Sequence, residues 1–112
     1  MSESPPSVAA LFDLLSHRRR RLIVLCVAGA PETGIPLRTL AETMYAFEND
    51  ETPTTASTRS VTNLKTTISR SHLPHLRDMG CVTQDEADRL HPGPQLAWAV
   101  AVIAVGMLGV DH

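Results

Sequence analysis

The chain of 112 residues suits one small domain with a modest core. Hydrophobic residues make up 43% of it, charged residues 20%, and the formal net charge is −2. This composition excludes collagen-like, strongly disordered and disulfide-framework proteins. With 4% aromatic residues, the chain also has too few rings for a platform that stacks single-stranded nucleic acid.

The N-terminal part predicts a short lead and two helices. Residues 1–6 form a disordered lead that ends in two prolines, which set up a helix start. From Val8 onward, apolar residues three and four positions apart predict one buried helix face, formed by Leu11, Phe12 and Leu15. We expect Ser16 to be the N-cap of a second helix over residues 17–28.

The middle of the chain predicts a loop, a third helix and a polar connection. Residues 29–36 contain two glycines and two prolines, so they form a loop, with a short β-bridge at Ile35. The third helix covers residues 37–47, and its apolar residues share one face: Leu37, Leu40, Ala41, Met44 and Phe47. Residues 49–57 are polar and connect it to the next helix.

The C-terminal part predicts a long helix, a hairpin and a last helix. The long helix covers residues 57–79 and ends at Gly80, as helices commonly do at a glycine. Pro74 lies inside it and bends the axis, since it cannot donate a backbone hydrogen bond; two consecutive helices are the alternative. Residues 81–93 fit a hairpin with an acidic turn, and the last helix follows over residues 95–110.

This order of elements predicts a mainly α fold with a small β-wing. A three-helix core followed by a two-stranded hairpin is the winged helix-turn-helix arrangement, here with an added C-terminal helix. We expect residues 7–93 to form the winged helix-turn-helix domain. Residues 94–112 form an apolar C-terminal helix that serves dimerisation or membrane association.

The long helix has an apolar face and a polar face when residues are placed at 100° per step. Val61, Leu64 and Ile68 share the apolar face. The other side carries the residues that we expect to contact DNA: Arg59, Thr62, Asn63, Lys65, Thr66, Ser69 and Arg70. Arginine and asparagine pair with base edges in the major groove, whereas lysine and hydroxyl groups bind phosphates. An ordinary solvated helix face is the alternative.

Two resemblances bear on this helix. The run ISRSHLPHLRDMGCV, residues 68–82, resembles the recognition-helix end of the metal-sensor-like winged-helix repressors, with Ser71 inserted before His72. The positions that keep the repressor pattern are Ser69, Arg70, Leu73, Leu76, Gly80 and Val82. The chain is more closely similar to a haloarchaeal family of winged-helix domains of uncharacterised function, over about residues 8–91. The matching segments are residues 11–16, 18–22, 36–42, 48–50 and 72–82.

The resemblance implies the winged helix-turn-helix fold and a DNA-binding transcriptional regulator in an archaeal cell. One feature departs from it. The predicted wing tip, residues 85–88, carries three acids, and acids repel the DNA backbone. This acidic wing and the negative net charge motivate the alternative, a winged-helix protein-interaction module that does not bind DNA.

The other basic residues and motifs of the sequence give weaker indications of function. Arg18–Arg21 occupy four consecutive helical positions, so they point in four directions and form no flat patch. We expect Arg18, Arg19 and Arg20 to be solvated, with a phosphate contact by one of them as the alternative. His72 and His75 lack further ligands at metal-site spacing, so we assign no metal and no cofactor. The motifs of common enzyme classes are absent, which predicts a protein that is not an enzyme.

The run from Leu96 to Val110 has no charged residue and must be buried on every side. It is shorter than the about 20 residues that cross a bilayer. We therefore expect it to pair with a second copy, which gives a homodimer that matches palindromic double-stranded DNA. The predicted interface consists of Leu96, Val100, Ile103 and Met107. Membrane association, and packing of the helix on its own domain, are the alternatives.

Two features predict a cytoplasmic protein. Cys26 and Cys81 lie far apart in apolar runs, as free thiols do in a reducing compartment. The N-terminus carries no secretory signal.

Overall fold

The computed structural model describes residues 7–50 and 57–109, so the predicted disordered lead lies outside the described residues. The helices are α1 (Val8–Leu14), α2 (Arg18–Ala28), α3 (Leu37–Asn49), α4 (Thr58–Thr67), a π-helical turn (Ile68–His72), α5 (Leu73–Asp78) and α6 (Leu96–Gly109). The strands are β1 (Ile35–Pro36), β2 (Val82–Gln84) and β3 (Arg89–Pro92).

Helix α1 begins at a serine cap, since Ser7 Oγ accepts a hydrogen bond from the Ala10 amide at 3.0 Å. Leu11 and Leu15 are buried as predicted. Phe12 lies on the surface with 49% of its area exposed, so its predicted burial is wrong. Position 12 points 100° away from position 11, beyond the stripe that the core covers.

Helix α2 begins at Arg18, and the predicted capping role of Ser16 is wrong. His17 is the N-cap residue, and its side chain makes no capping hydrogen bond. Ser16 Oγ instead donates to the carbonyl of Asp13 at 2.8 Å. The serine therefore closes the end of α1 rather than the start of α2.

Helix α3 packs against α2 and α4 and buries the predicted face except at its end. Leu37, Leu40, Ala41 and Met44 are at most 4% exposed. Phe47 is 62% exposed, which contradicts its predicted burial. The Arg18 guanidinium lies 5.8 Å from the centre of its ring at the surface.

The long helix of the prediction exists as three consecutive segments, α4, the π turn and α5. The Leu73 amide donates to the carbonyl of Ile68, five residues back, in place of the usual four. Pro74 follows and has no N–H to donate to Arg70, so the irregularity lies immediately before the proline. A π turn holds one residue more than an α turn, which suits Ser71 as the inserted residue.

The end of α5 confirms the predicted role of Gly80. Its φ of 74° lies in the left-handed region that glycine adopts without steric cost. The Gly80 amide donates to Arg77 and the Cys81 amide to Leu76, both at 2.9 Å. These two hydrogen bonds form a Schellman motif, which satisfies the last carbonyl groups of the helix.

The sheet is small and antiparallel, with the strand order β1–β3–β2. The hairpin of β2 and β3 pairs Thr83 with His91. Strand β1 pairs Ile35 with Leu90, so the predicted bridge at Ile35 adds a third strand to the expected two. The described part of the chain is thus mainly helical with one small antiparallel sheet, which is compatible with a winged helix.

Helix α6 packs on α1 and α2 of its own chain. It buries Leu96, Ala99 and Ile103 there, while Trp98 and Val105 on the other side are 50% and 62% exposed. The expectation that this helix is buried on every side therefore does not hold within the single chain. Among the described residues, every helix is too short or too polar to cross a membrane.

Candidate nucleic-acid interface

Helix α4 is oriented by its cap and by three buried residues. Ser57 Oγ accepts a hydrogen bond from the Ser60 amide at 3.1 Å, which satisfies one free donor of the first turn. Val61, Leu64 and Ile68 are at most 6% exposed and lie at helical spacing on the side that packs on α3. This packing fixes which side chains of α4 point to solvent.

The structure brings the seven predicted DNA-contacting residues to one surface, which we call the outer face. Arg59, Thr62, Asn63, Thr66 and Arg70 are exposed. Lys65 and Ser69 are half-buried at the flanks, where lysine can extend its ammonium group past an apolar stem. His72, with a φ of −118°, comes after the last of the seven.

The hydroxyl groups of α4 are partly used by the helix itself. Thr66 Oγ1 donates to the Thr62 carbonyl at 3.1 Å, and Thr67 Oγ1 donates to the Asn63 carbonyl at the same distance. In this state Thr66 can accept a hydrogen bond from a base amino group but has no proton to offer a phosphate. A hydrogen bond from the Thr66 hydroxyl to a phosphate would therefore require that this bond open.

The outer face carries three cations that have no ion pair among the described residues. Within residues 7–50 and 57–109, the ion pairs join Arg19 to Glu48, Arg38 to Glu42 and His91 to Asp85. Arg59, Lys65 and Arg70 take part in none of these. Residues 57–77 contain no acid, so the helix itself supplies no compensating charge. Such uncompensated positive charge on a helix is the feature that attracts phosphates.

The arginine run at the start of α2 is engaged inside the fold, so its predicted solvation is wrong for Arg19 and Arg20. Arg19 Nε and Nη2 donate to the two carboxylate oxygens of Glu48, both at 2.9 Å. The hydrogen bond to Glu48 raises the pKa of Arg19. Arg21 Nη1 donates to the carbonyls of Leu15 and Ser16 at 2.8 and 3.2 Å. These bonds tie α2 to α3 and to the end of α1.

His72 and His75 lie in a part of the described structure where no group of three or more potential metal ligands is found. Arg20 Nε lies 3.2 Å from His72 Nδ1, which occupies one ring nitrogen of this histidine. Burial, and next the charge of Arg20, lower the pKa of His72. Both effects favour the neutral form of His72.

The wing tip is acidic and organised by its own hydrogen bonds. Asp85 Oδ1 accepts from the amides of Ala87 and Arg89, both at 2.9 Å, and Asp85 Oδ2 lies 2.8 Å from His91 Nε2. The hydrogen bond to His91 is the main reason that the pKa of Asp85 is lowered. With Glu86 and Asp88 also exposed, this tip repels phosphate.

The predicted dimer residues of α6 face mainly inward. Leu96 and Ile103 are buried against their own domain, at 7% and 5% exposure, and Val100 is half-buried. The side chain of Met107 lies outside the described residues. The exposed residues of α6 form the opposite stripe, which we call the α6 outer stripe: Ala97, Trp98, Ala101, Ala104 and Val105.

Sequence reasoning missed the partners of Arg19 and Arg20. Glu48 and His72 lie 29 and 52 residues away from them, and no local pattern connects residues at such separations. The one available signal was the presence of four basic residues on a helix with no acid in its first turn. Such a helix gains from carboxylate or carbonyl partners elsewhere in the fold.

The comparisons with known proteins find one family. Its model, described as "Domain of unknown function (DUF7344)", matches residues 12–91, close to the range of the haloarchaeal resemblance. No curated protein and no solved structure matches the chain. The resemblance to the metal-sensor-like repressors therefore stays a prediction.

Proposed function

We propose that this chain, which belongs to the DUF7344 family, binds double-stranded DNA as a transcriptional regulator. The proposal rests on the geometry of α4. The observation that carries this proposal is the outer face itself. It combines exposed arginine, asparagine and threonine side chains on a helix that has no acid over residues 57–77. These are the groups that contact bases and phosphates in a major groove.

The order of elements supports a winged helix-turn-helix fold. A helix, a short strand, three further helices (the last two joined by the π turn) and a hairpin follow one another from α2 to β3, and β1 joins the hairpin on its β3 side. In this arrangement α3 and α4 are the helix-turn-helix pair, and α4 enters the groove. The acidic wing tip stays away from the backbone, so the fold relies on α4 for both affinity and specificity.

Each residue of the outer face has a role that follows from its chemistry. Arg59 and Arg70 donate to guanine, and Asn63 pairs with adenine. Lys65 and Ser69 lie at the flanks and contact phosphates, since a flanking position faces the walls of a groove rather than its floor. Thr62 and Thr66 accept from base amino groups or pack against thymine methyl groups.

The test is a binding titration of the full chain with a duplex from upstream of its own coding sequence, and with a scrambled duplex, over a series of salt concentrations. We expect affinity to fall as salt rises, because phosphate contacts release counterions, and to be higher for the upstream duplex. The triple variant R59Q/N63A/R70Q removes the preference.

The matched control for this titration is R38Q. It also removes one arginine charge, but from the Arg38–Glu42 pair on α3 rather than from the outer face. We expect it to bind like the wild-type chain. Absence of wild-type binding at low salt would contradict the proposed function. Equal binding by the wild type and the triple variant would contradict it as well.

Dimerisation through α6 belongs to this proposal, with a changed interface. A symmetric pair of chains places two α4 helices on successive half-sites of DNA. The α6 outer stripe is uncharged and exposed, and its alanines permit close helix approach. We expect sedimentation of the full chain as a dimer and of V105E as a monomer, with L25E, another exposed apolar position, as the control that stays dimeric.

A second candidate function is a protein-interaction module that does not bind DNA. The acidic, exposed wing tip favours it, because that surface suits a basic partner rather than a nucleic acid. The same salt titration separates the two candidates, since this module shows no DNA binding at any salt concentration.

A further inference from the structure

A guanidinium group joins three parts of the fold next to the outer face. Arg20 Nε lies 3.2 Å from His72 Nδ1, and Arg20 Nη2 lies 3.3 Å from the carbonyl of Ser71. Arg20 Nη1 lies 3.5 Å from the carbonyl of Leu14, at the end of α1. One side chain of α2 thereby contacts both α1 and the π turn. No residue of the proposed DNA surface is part of this contact.

The hydrogen bond between Arg20 and His72 requires a neutral imidazole. Arginine is always charged and only donates, so Nδ1 of His72 is the acceptor and its proton resides on Nε2. A protonated His72 carries a proton on both nitrogens and cannot accept. Protonation at this position therefore removes the bond and places two cations against each other.

Further basic groups surround His72. The His17 ring lies 6.1 Å away, centroid to centroid, and Arg19, Arg20 and His75 also act on it. All of them lower the pKa of His72, after the larger effect of burial. The nearby acids, Asp13 and Asp78, line a depression together with Arg20 and His75.

His72 also occupies the point where the helix departs from regular geometry. Its φ of −118° ends the π turn, which Leu73 closes by donating to Ile68. Ser69 and Arg70 of the outer face belong to the same five-residue turn. A change in this turn therefore moves two of the proposed DNA contacts directly, and π turns of this kind are frequent at functional sites.

We propose that Arg20 and His72 are positioning residues for the outer face. Their hydrogen bond forms only while His72 is neutral, holds the π turn against α1 and α2, and so sets the direction of Ser69 and Arg70. Acidification releases the turn and weakens DNA binding. The effect on DNA rests on the proposed function, whereas the hydrogen bond is a property of the free protein.

The first test uses NMR spectroscopy of the free full chain. At a pH of about 7.5 we expect the nitrogen shifts of His72 to show an unprotonated Nδ1. On lowering the pH to about 5.5, the exchange protection of the Leu73 amide should fall about tenfold, after correction for intrinsic exchange. The amide signals of Ser69 and Arg70 should move with the same midpoint.

Variants separate positioning from simple structural support. His72→Asn places a carboxamide oxygen close to where Nδ1 was, and this oxygen does not titrate; we expect protection of Leu73 that is independent of pH. Arg20→Lys keeps the charge but loses the forked donors, so Leu73 should be unprotected at both pH values. His75→Asn, one turn away and exposed, is the control that behaves like the wild type.

Unfolding in urea gives an independent readout. The folded-state pKa of His72 lies below its ordinary value of 6.5, so the unfolded chain binds more protons. The contribution of His72 to stability is present above pH 6.5 and is lost as the pH falls through the folded-state pKa. We expect His72→Asn to lose less stability than the wild type over this range.

The outcomes distinguish this inference from the proposed function. A proton on Nδ1 at neutral pH, or titration of His72 without change at Leu73, Ser69 and Arg70, would overturn the inference. If the signals of Leu73, Ser69 and Arg70 respond to pH but neither the wild type nor a variant binds DNA at any pH, the inference about Arg20 and His72 stands and the proposed function fails. If DNA is bound, wild-type affinity should fall on acidification more than that of His72→Asn.

Discussion

Two groups of basic residues, four on α2 and three on α4 and the π turn, resemble each other in the sequence and differ in the fold. On α2, Arg19 forms a forked pair with Glu48, and Arg20 and Arg21 donate to carbonyl groups at the end of α1. On α4 and the π turn, the described residues give Arg59, Lys65 and Arg70 no ion pair. The denser group is thus the one whose charges are already used.

This difference teaches that the number of cations on a helix does not identify a nucleic-acid surface. A guanidinium whose donors are satisfied inside the protein must break those bonds before it contacts a phosphate. A cation without a partner has no such bond to break, so it gains the full free energy of the phosphate contact. The partners of these cations therefore favour the outer face, rather than the arginine run, as the proposed DNA surface.

Among the variants that test this comparison, Arg70→Ala should have the largest effect. We expect a loss of about 1–3 kcal/mol in DNA binding and a relaxed preference at one base pair, because a base contact is removed. The free energy of unfolding should change by less than about 0.5 kcal/mol, as for exposed residues without partners. Competition binding with single-base variants of the duplex, together with urea unfolding, measures both values. A large loss of stability would show that Arg70, like Arg19, is engaged within the fold.

Arg19→Met should show the opposite pattern. It leaves the Glu48 carboxylate, whose side chain is only 18% exposed, without its partner, which costs about 1–2 kcal/mol of stability. The 39% exposure of Arg19 keeps this cost below that of a fully buried pair. Urea unfolding of R19M and of the double variant R19M/E48Q measures it, and the double variant should recover part of the loss. Equal stability of R19M and wild type would show that the pair is not structural.

Glu48→Gln tests the comparison from the other side, because it releases Arg19 without removing it. Arg19 and Glu48 line a depression with Ser60, Asn63 and Thr67, next to the outer face. A released guanidinium at this place should add one phosphate contact and steepen the salt dependence of DNA binding by about 0.9 in the logarithmic slope. An unchanged slope would mean that Arg19 cannot reach DNA even when it is free.

The smallest effect should come from Arg18→Ala. Arg18 contacts the exposed ring of Phe47 at 5.8 Å, and an exposed cation–π contact is worth about 0.5–1 kcal/mol. We expect a loss of stability at or below this value and no change in sequence preference. Thermal unfolding, with Phe47→Leu as the matched variant, checks it. A clear loss of DNA specificity would show instead that Arg18 takes part in DNA recognition.

The sequence by itself determined the local features of this protein. The spacing of Val61, Leu64 and Ile68 oriented α4, and Gly80 ended α5, because helical periodicity and left-handed caps depend on neighbouring residues only. The same holds for the hairpin, whereas the bridge at Ile35 pairs with Leu90, 55 residues away. The whole outer face could be named in this way, since its seven residues lie within 12 positions of one another.

Tertiary structure alone decided which groups are already engaged. The partners of Arg19 and Arg20 lie 29 and 52 residues away, Phe12 and Phe47 lie at the margins of a core that their own helices do not define, and α6 has only one of its apolar sides covered by the domain. Periodicity shows which residues share a side of a helix, but not what lies opposite that side. Opposition across the core arises only when distant segments pack together, and so the distinction between a structural arginine and an available one is a property of the fold.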